Sequence, residues 1–218
     1  MNSSENKHHL FPVFLNINKK KCVVVGGGKV ALRKVTDLLE AGAETTVVAD
    51  YPSPEIEQLS RQGEIKLVRR KFKKEDIKDA FLVFAATDDS LANAEISSTA
   101  RQYGIPVNAV DSPVHCDFFS GAVVKRGPML IAISTSGYFP ALAAGIRQEI
   151  EQLYPESFGE FIKTAGELRQ HILSQNTISS DKKNEALKWL ARRETFTIFL
   201  VSGKEKVCEE MNKIIFPS

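Results

Sequence analysis

The 218-residue sequence predicts an α/β chain: an open parallel sheet, then a small α+β segment, then a helical carboxyl-terminal module. Three observations carry this expectation. Short continuous apolar runs at residues 22–25, 80–86 and 105–110 have the character of parallel strands buried on both faces. Stretches with helical spacing alternate with them, the order that builds a parallel sheet with crossover helices. Gly26, Gly27 and Gly28 stand between the first apolar run and the first helical stretch.

Residues 10–15 form an apolar lead-in, in which Pro12 favours an edge or irregular segment. Residues 16–20 make a polar turn before the first strand. The glycine turn then reads G-x-G-x-x-A: Gly26, Gly28 and Ala31. Gly26 permits a sharp turn, Gly28 lets a pyrophosphate approach the backbone, and Ala31 lets the helix pack close to the strand. The helix carries Val30, Ala31, Val35, Leu38 and Leu39 on its apolar side and runs to residues 41–42. Its free N–H groups and dipole suit phosphate. A second strand at 45–49 ends at Asp50, which lies 24 positions after Gly26 (50 − 26), the spacing of an acid on an adenosine ribose. The expectation is a Rossmann-type NAD site, with Lys29 and Val30 on the turn, Tyr51 beside Asp50 and Thr87 at a later strand end as further contacts.

After a 51–54 loop, Ser53 or Pro54 opens a short helix over 55–62, closed by Gly63, and a strand follows at 65–68. The basic run of Arg69, Arg70, Lys71, Lys73 and Lys74 reads as a solvated face. The 80–86 strand delivers Thr87, Asp88 and Asp89 to its carboxyl end, a helix over 90–103 stops at Gly104, and the 105–110 strand is closed by Asp111. All these strand ends share the ligand-binding edge of such a sheet. The pattern changes at 112–113. Strands at 118–124 and 129–134, joined by a 125–128 turn, form a hairpin. Ser134, Thr135, Ser136 and Gly137 lead to a helix opened by Pro140. A hairpin and one helix cannot bury both faces alone, so this unit is expected to pack on the first domain or on a second copy. Helices are expected over 158–173, 182–192 and 205–214. The predicted domains are 1–113 for NAD binding, 114–155 for dimerisation and 156–218 as a helical module.

A formal net charge of +2 excludes a strong whole-chain nucleic-acid footprint. Cys22, Cys116 and Cys208 are odd in number and widely spaced, so neither a disulfide framework nor a zinc knuckle is expected, and a reducing cytoplasm fits. The polar start at 1–9 is not expected to be a signal peptide, His8 and His9 read as solvated, and no apolar run is long enough to span a bilayer. His115, Cys116 and Asp117 are metal-type ligands at poor chelate spacing, so no fixed metal site is expected.

Taken together, several segments resemble the precorrin-2 dehydrogenase family of sirohaem biosynthesis, including the amino-terminal dehydrogenase–ferrochelatase module of sirohaem synthases. They are Phe11-Pro12-Val13-Phe14-Leu15, Val25-Gly26-Gly27-Gly28-Lys29-Val30-Ala31 with Arg33-Lys34, Val107-Asn108-Ala109-Val110-Asp111, Cys116-Asp117-Phe118, Arg126-Gly127-Pro128, Ile133-Ser134-Thr135-Ser136-Gly137 and Pro140-Ala141-Leu142-Ala143. One departure is Ser136-Gly137, where the family often has two glycines. The resemblance implies NAD-dependent oxidation of precorrin-2 to sirohydrochlorin, with ferrous iron insertion in some members, by a homodimer. It matches Asp111 to the family's functional aspartate, a candidate proton acceptor whose other reading is a turn or cap residue. It places Ser134, Thr135, Ser136 and Gly137 beside the tetrapyrrole pocket. Lys125 and Arg126, with Lys29 and Arg147, are candidates for the substrate's carboxylates, or else ordinary surface charges. Two other functions stay open: a non-catalytic NAD sensor acting through the helical tail, and an NAD-dependent dehydrogenase of another small substrate.

Overall fold

In the computed structural model the described residues are 9–110 and 112–216. The chain divides into two compact units, Met1–Ser120 and Gly121–Ser218.

The first unit contains β1 (Lys21–Val25), α1 (Lys29–Glu40), β2 (Glu44–Val48), α2 (Pro54–Arg61), β3 (Lys66–Val68), β4 (Leu82–Ala85), α3 (Ser90–Gln102) and β5 (Val107–Ala109). The strands form one sheet in the order β3-β2-β1-β4-β5, parallel throughout. Buried Ala31, Val35 and Leu38 of α1 join Val24, Val47 and Phe84 in the core on one face. Ile96 and Ala100 of α3 join Val23, Val83 and Val107 on the other. Covered on both sides, the strands need no polar alternation, which is why they read as continuous apolar runs.

Val25 pairs with Val48 on one side and Ala85 on the other, and Ala85 pairs with Ala109. Four strands therefore end level, and the order reverses between β1 and β4, where such sheets bind ligands. Ser53 caps α2 by accepting from the Ile56 N–H, and Asp89 caps α3 by accepting from those of Leu91 and Ala92. β5 is shorter than expected: the Ile105 N–H goes to Ala100 O (2.9 Å) to close α3, and Pro106 has none to give. A 3-10 turn at Lys74–Ile77 was not foreseen. Arg70 also departs from the expected solvated run. It is half-buried and gives two hydrogen bonds to Asp76, at 2.7 and 2.6 Å.

The second unit contains the antiparallel pair β6 (Ala122–Arg126) and β7 (Met129–Ile133), then α4 (Pro140–Leu153), α5 (Ser157–Ser174), α6 (Ser180–Leu190) and α7 (Arg193–Ile215). Arg126 pairs with Met129, so the hairpin turn is Gly127 and Pro128 alone, tighter than the expected 125–128 turn. Leu168, Ile172, Ala186, Val207, Met211 and Ile215 form the helical core. The tail differs from expectation in its last helix. Residues 193–215 are one helical element interrupted at Gly203, whose φ of 78° only glycine adopts without strain. Among the described residues no helix is long and apolar enough to cross a membrane.

Candidate active site

The three glycines do three different things. Gly26 has φ 135° and donates its N–H to Val48 O at 2.9 Å, and a Cβ there would overlap Ala86 O. Gly27 accepts from the Ser53 N–H at 2.8 Å, and a Cβ there would overlap Tyr51 O. That contact seats the loop after β2 directly on the turn. Gly28 is the N-cap of α1, has no side-chain cap, and a Cβ there would meet nothing within 4 Å. The first N–H groups of α1 have no acceptor within the helix, and its first turn holds no acid to offset the positive end.

These groups open on a cleft of about 950 Å³ along the carboxyl edge of the sheet. Of the expected cofactor residues, Gly26, Gly28, Lys29, Val30, Asp50, Tyr51 and Thr87 all line it. Ala31 is buried beneath, where its small side chain lets α1 approach the sheet. Asp50 and Tyr51 are exposed at the rim. Arg70, Phe72, Asp89, Leu91 and Val110 complete the wall.

Thr87 is organised by Asn93, which is buried on α3. Asn93 Oδ1 accepts from the Thr87 N–H at 3.1 Å and its hydroxyl at 2.7 Å, while Asn93 Nδ2 donates to Thr87 O at 3.0 Å. The Thr87 hydroxyl also accepts from the Asp89 N–H at 3.3 Å. The sequence reading missed Asn93. Its signal is its place on a buried stripe with Ile96, Ser97 and Ala100. Next to Arg70, which lines the cleft, burial alone would raise the Asp76 pKa. The Arg70 pair, the Lys73 N–H and their charges outweigh that and hold it below the ordinary value.

Asp111 lies outside the described residues. Its neighbour Val110 lines the cleft and is fixed to β4 by its N–H on Ala85 O (2.9 Å).

In the second unit, Ser134, Thr135, Ser136 and Gly137 form the loop before α4. Ser136 and Gly137 take φ 51° and 82°. Ser134 Oγ accepts from the Ser136 N–H (3.0 Å), and Thr135 Oγ1 from the Phe139 N–H (3.2 Å). Lys125 is exposed, whereas Arg126 is buried. Arg126 donates to the carbonyls of Tyr154 and Glu151 near the end of α4 and pairs with Glu156 at 2.9 Å. Arg147 pairs with Glu151 at 2.6 Å.

Residues 13–122 match the profile of a family described as "Putative NAD(P)-binding". This chain belongs to that family. Relatives of this NAD(P)-binding chain include the siroheme synthase of Methylococcus capsulatus, 42% identical over 161 residues, which are 74% of this chain and 34% of the relative. That of Photorhabdus laumondii is 36% identical over 199 residues, 91% of this chain and 42% of the relative. The chain thus spans well under half of either protein. A solved structure named SirC, precorrin-2 dehydrogenase, superposes with a TM-score of 0.76 at 27% identity, over 94% of this chain and 100% of that one. These findings bear out the resemblance to the precorrin-2 dehydrogenase family, and with it the α/β Rossmann-like fold.

Proposed function

We propose that the chain is a cytoplasmic NAD-dependent dehydrogenase that oxidises precorrin-2 to sirohydrochlorin in sirohaem biosynthesis. The observation that carries this is the uncapped amino end of α1, open at Gly28 to a cleft rimmed by Asp50. That arrangement suits a dinucleotide, and the likeness to a precorrin-2 dehydrogenase supplies the substrate. Oxidation removes one hydride and one proton from the macrocycle, and a bound nicotinamide accepts the hydride. The protein's own share is binding, orientation and proton transfer. The N–H groups at the start of α1 hold the pyrophosphate, and Asp50 accepts from the ribose hydroxyls. Thr87, fixed by Asn93, shapes the wall between them. Asp111 takes the proton. The 134–137 loop and Lys125 meet the tetrapyrrole's carboxylates, while Arg126 ties the hairpin to the end of α4. Purified protein with NAD and precorrin-2 should produce NADH; no NADH with this substrate, or turnover of an unrelated one, counts against the assignment.

NAD is expected over NADP. Asp50 would repel a 2′-phosphate, and both terminal nitrogens of Arg70 are already committed to Asp76. kcat/KM for NAD should exceed that for NADP by about tenfold or more, equivalent to about 1.4 kcal/mol. Equal or better use of NADP overturns the role of Asp50.

A homodimer through the hairpin is also expected. Val123 and Leu130 are exposed on one face of β6–β7, and Tyr138, Phe139 and Leu142 are exposed in and after the next loop. Light scattering should give twice the chain mass at micromolar concentration, and a monomer throughout that range counts against it.

A further inference from the structure

The cleft carries two side chains that call for different cofactors. Val68 O, at the end of β3, accepts from the Ala49 N–H at 3.1 Å and from the Arg70 N–H at 3.1 Å. Ala49 directly precedes Asp50, so one oxygen ties the backbone of Arg70 to that of the acid at the rim. Asp50 and Arg70 both line the cleft. An acid in this place suits a bare ribose, whereas an arginine beside it suits a ribose that carries a 2′-phosphate.

The guanidinium is committed elsewhere. Arg70 Nη1 donates to Asp76 Oδ2 (2.7 Å) and to Lys71 O (3.0 Å), and Nη2 donates to Asp76 Oδ1 (2.6 Å). A two-pronged pair of this kind fixes the plane of the arginine as well as its charge. Asp76 is the immobile partner: its side chain is 7% exposed, against 39% for Arg70. Its Oδ2 also accepts from the Lys73 N–H at 2.7 Å, and its own N–H donates to Lys73 O at 3.0 Å. The next residue, Ile77, is fully buried in the core against which Val68 and Phe72 pack. The Lys74–Ile77 turn therefore fixes the carboxylate, and the arginine is drawn to it. Asp76 is not among the residues lining the cleft, so it acts on the cofactor through Arg70.

We propose that Asp76 is a positioning residue for cofactor choice: it withholds the Arg70 guanidinium from the ribose 2′ position and so keeps the cleft selective for NAD. The proposal rests on the dinucleotide reading, with the adenosine ribose at Asp50. Calorimetric titration of the whole chain with NAD and with NADP tests it without the tetrapyrrole. In Asp76→Ala the released arginine should raise NADP affinity by about tenfold or more, the scale of one charge-assisted contact to phosphate. The Kd for NAD should stay within about threefold, since NAD has no 2′-phosphate for the arginine to meet. In Asp76→Ala/Arg70→Ala, NADP affinity should return to the native value. If Asp76 only anchors its turn, Asp76→Ala weakens both cofactors alike and leaves their ratio native, which overturns the proposal. A gain in NADP affinity that survives in the double variant also overturns it, because the gain does not then come from Arg70. A ratio shifted by Asp50→Asn and unmoved by Asp76→Ala overturns the proposal alone. Native protein that binds neither cofactor overturns the dinucleotide reading, and the proposal with it. If Asp76→Ala does not fold, Asp76→Asn, which keeps an acceptor for the Lys73 N–H and lacks the charge, is read by the same outcomes.

Discussion

Gly26→Ala is expected to destabilise the nucleotide-binding unit severely, while Gly28→Ala is expected to fold normally and hold the cofactor weakly. The two glycines stand two residues apart in one turn, so the contrast isolates their roles. Gly26 has φ 135°, a region closed to alanine, and its new Cβ would overlap the Ala86 carbonyl, a backbone atom held in line with β4. The Ala86 N–H is itself bonded to Val25 O at 2.8 Å, so it cannot withdraw without breaking the sheet at its centre. A cost on the order of 3–5 kcal/mol follows for strain and collision together. A domain stable by about 5–15 kcal/mol would lose much of that margin. At Gly28, φ is −88° and a Cβ has open space, so folding should change by less than about 1 kcal/mol, the cost of a poorer N-cap. The same methyl group would occupy the place where the backbone must approach a pyrophosphate. NAD affinity should fall by about tenfold or more, that is by about 1.4 kcal/mol or more. Urea midpoints and calorimetric NAD titrations of both variants test this. A stable Gly26→Ala protein, or native NAD affinity in Gly28→Ala, would show that the turn does not work this way.

The difference between these glycines also marks where sequence reading stops. Gly26, Gly28, Ala31 and Asp50 could be placed because strand, turn, helix and acid follow each other within one βαβ unit. Each residue type there answers a local demand. Gly27 is the unassigned x of the G-x-G-x-x-A motif. Its constraint comes from Tyr51 and Pro52, which only the sheet brings against it. Arg70 looked like one charge in a solvated run; its partner Asp76 is reached only through the turn at Lys74–Ile77. The sequence places Arg126 in a 125–128 turn, next to Gly127 and Pro128. Paired with Met129, it ends a strand and carries its guanidinium to the carbonyls near the end of α4. The start of α7 was missed for a different reason. Thr195, Phe196, Thr197, Ile198, Phe199 and Val201 are β-branched or aromatic, and local propensity favours a strand. The helix wins through packing. Phe196 meets Phe158 edge to face at 4.7 Å, and Phe199 lies 5.6 Å from Phe161, contacts that need both helices formed.

Asp111→Asn is expected to reduce kcat for precorrin-2 oxidation by about 10²-fold or more, the scale of a lost general base. The two side chains are nearly isosteric, so an amide keeps the hydrogen-bonding reach of the carboxylate but cannot accept the proton. NAD affinity should stay close to native. The groups assigned to the cofactor's phosphates and ribose lie at Gly28, the start of α1 and Asp50. The substrate KM should move little if the role is proton transfer, since the interaction would be lost in the transition state and not in the ground state. A structural cap would behave differently. Asp111→Asn would then lower the melting temperature, and Asp111→Ser, another short side chain suited to turns, would restore both stability and turnover. A base is not rescued by serine. Stopped-flow NADH formation under single-turnover conditions separates chemistry from product release. A native rate there removes Asp111 from the proton transfer, and a slowed rate with unchanged melting and NAD binding assigns the proton to it.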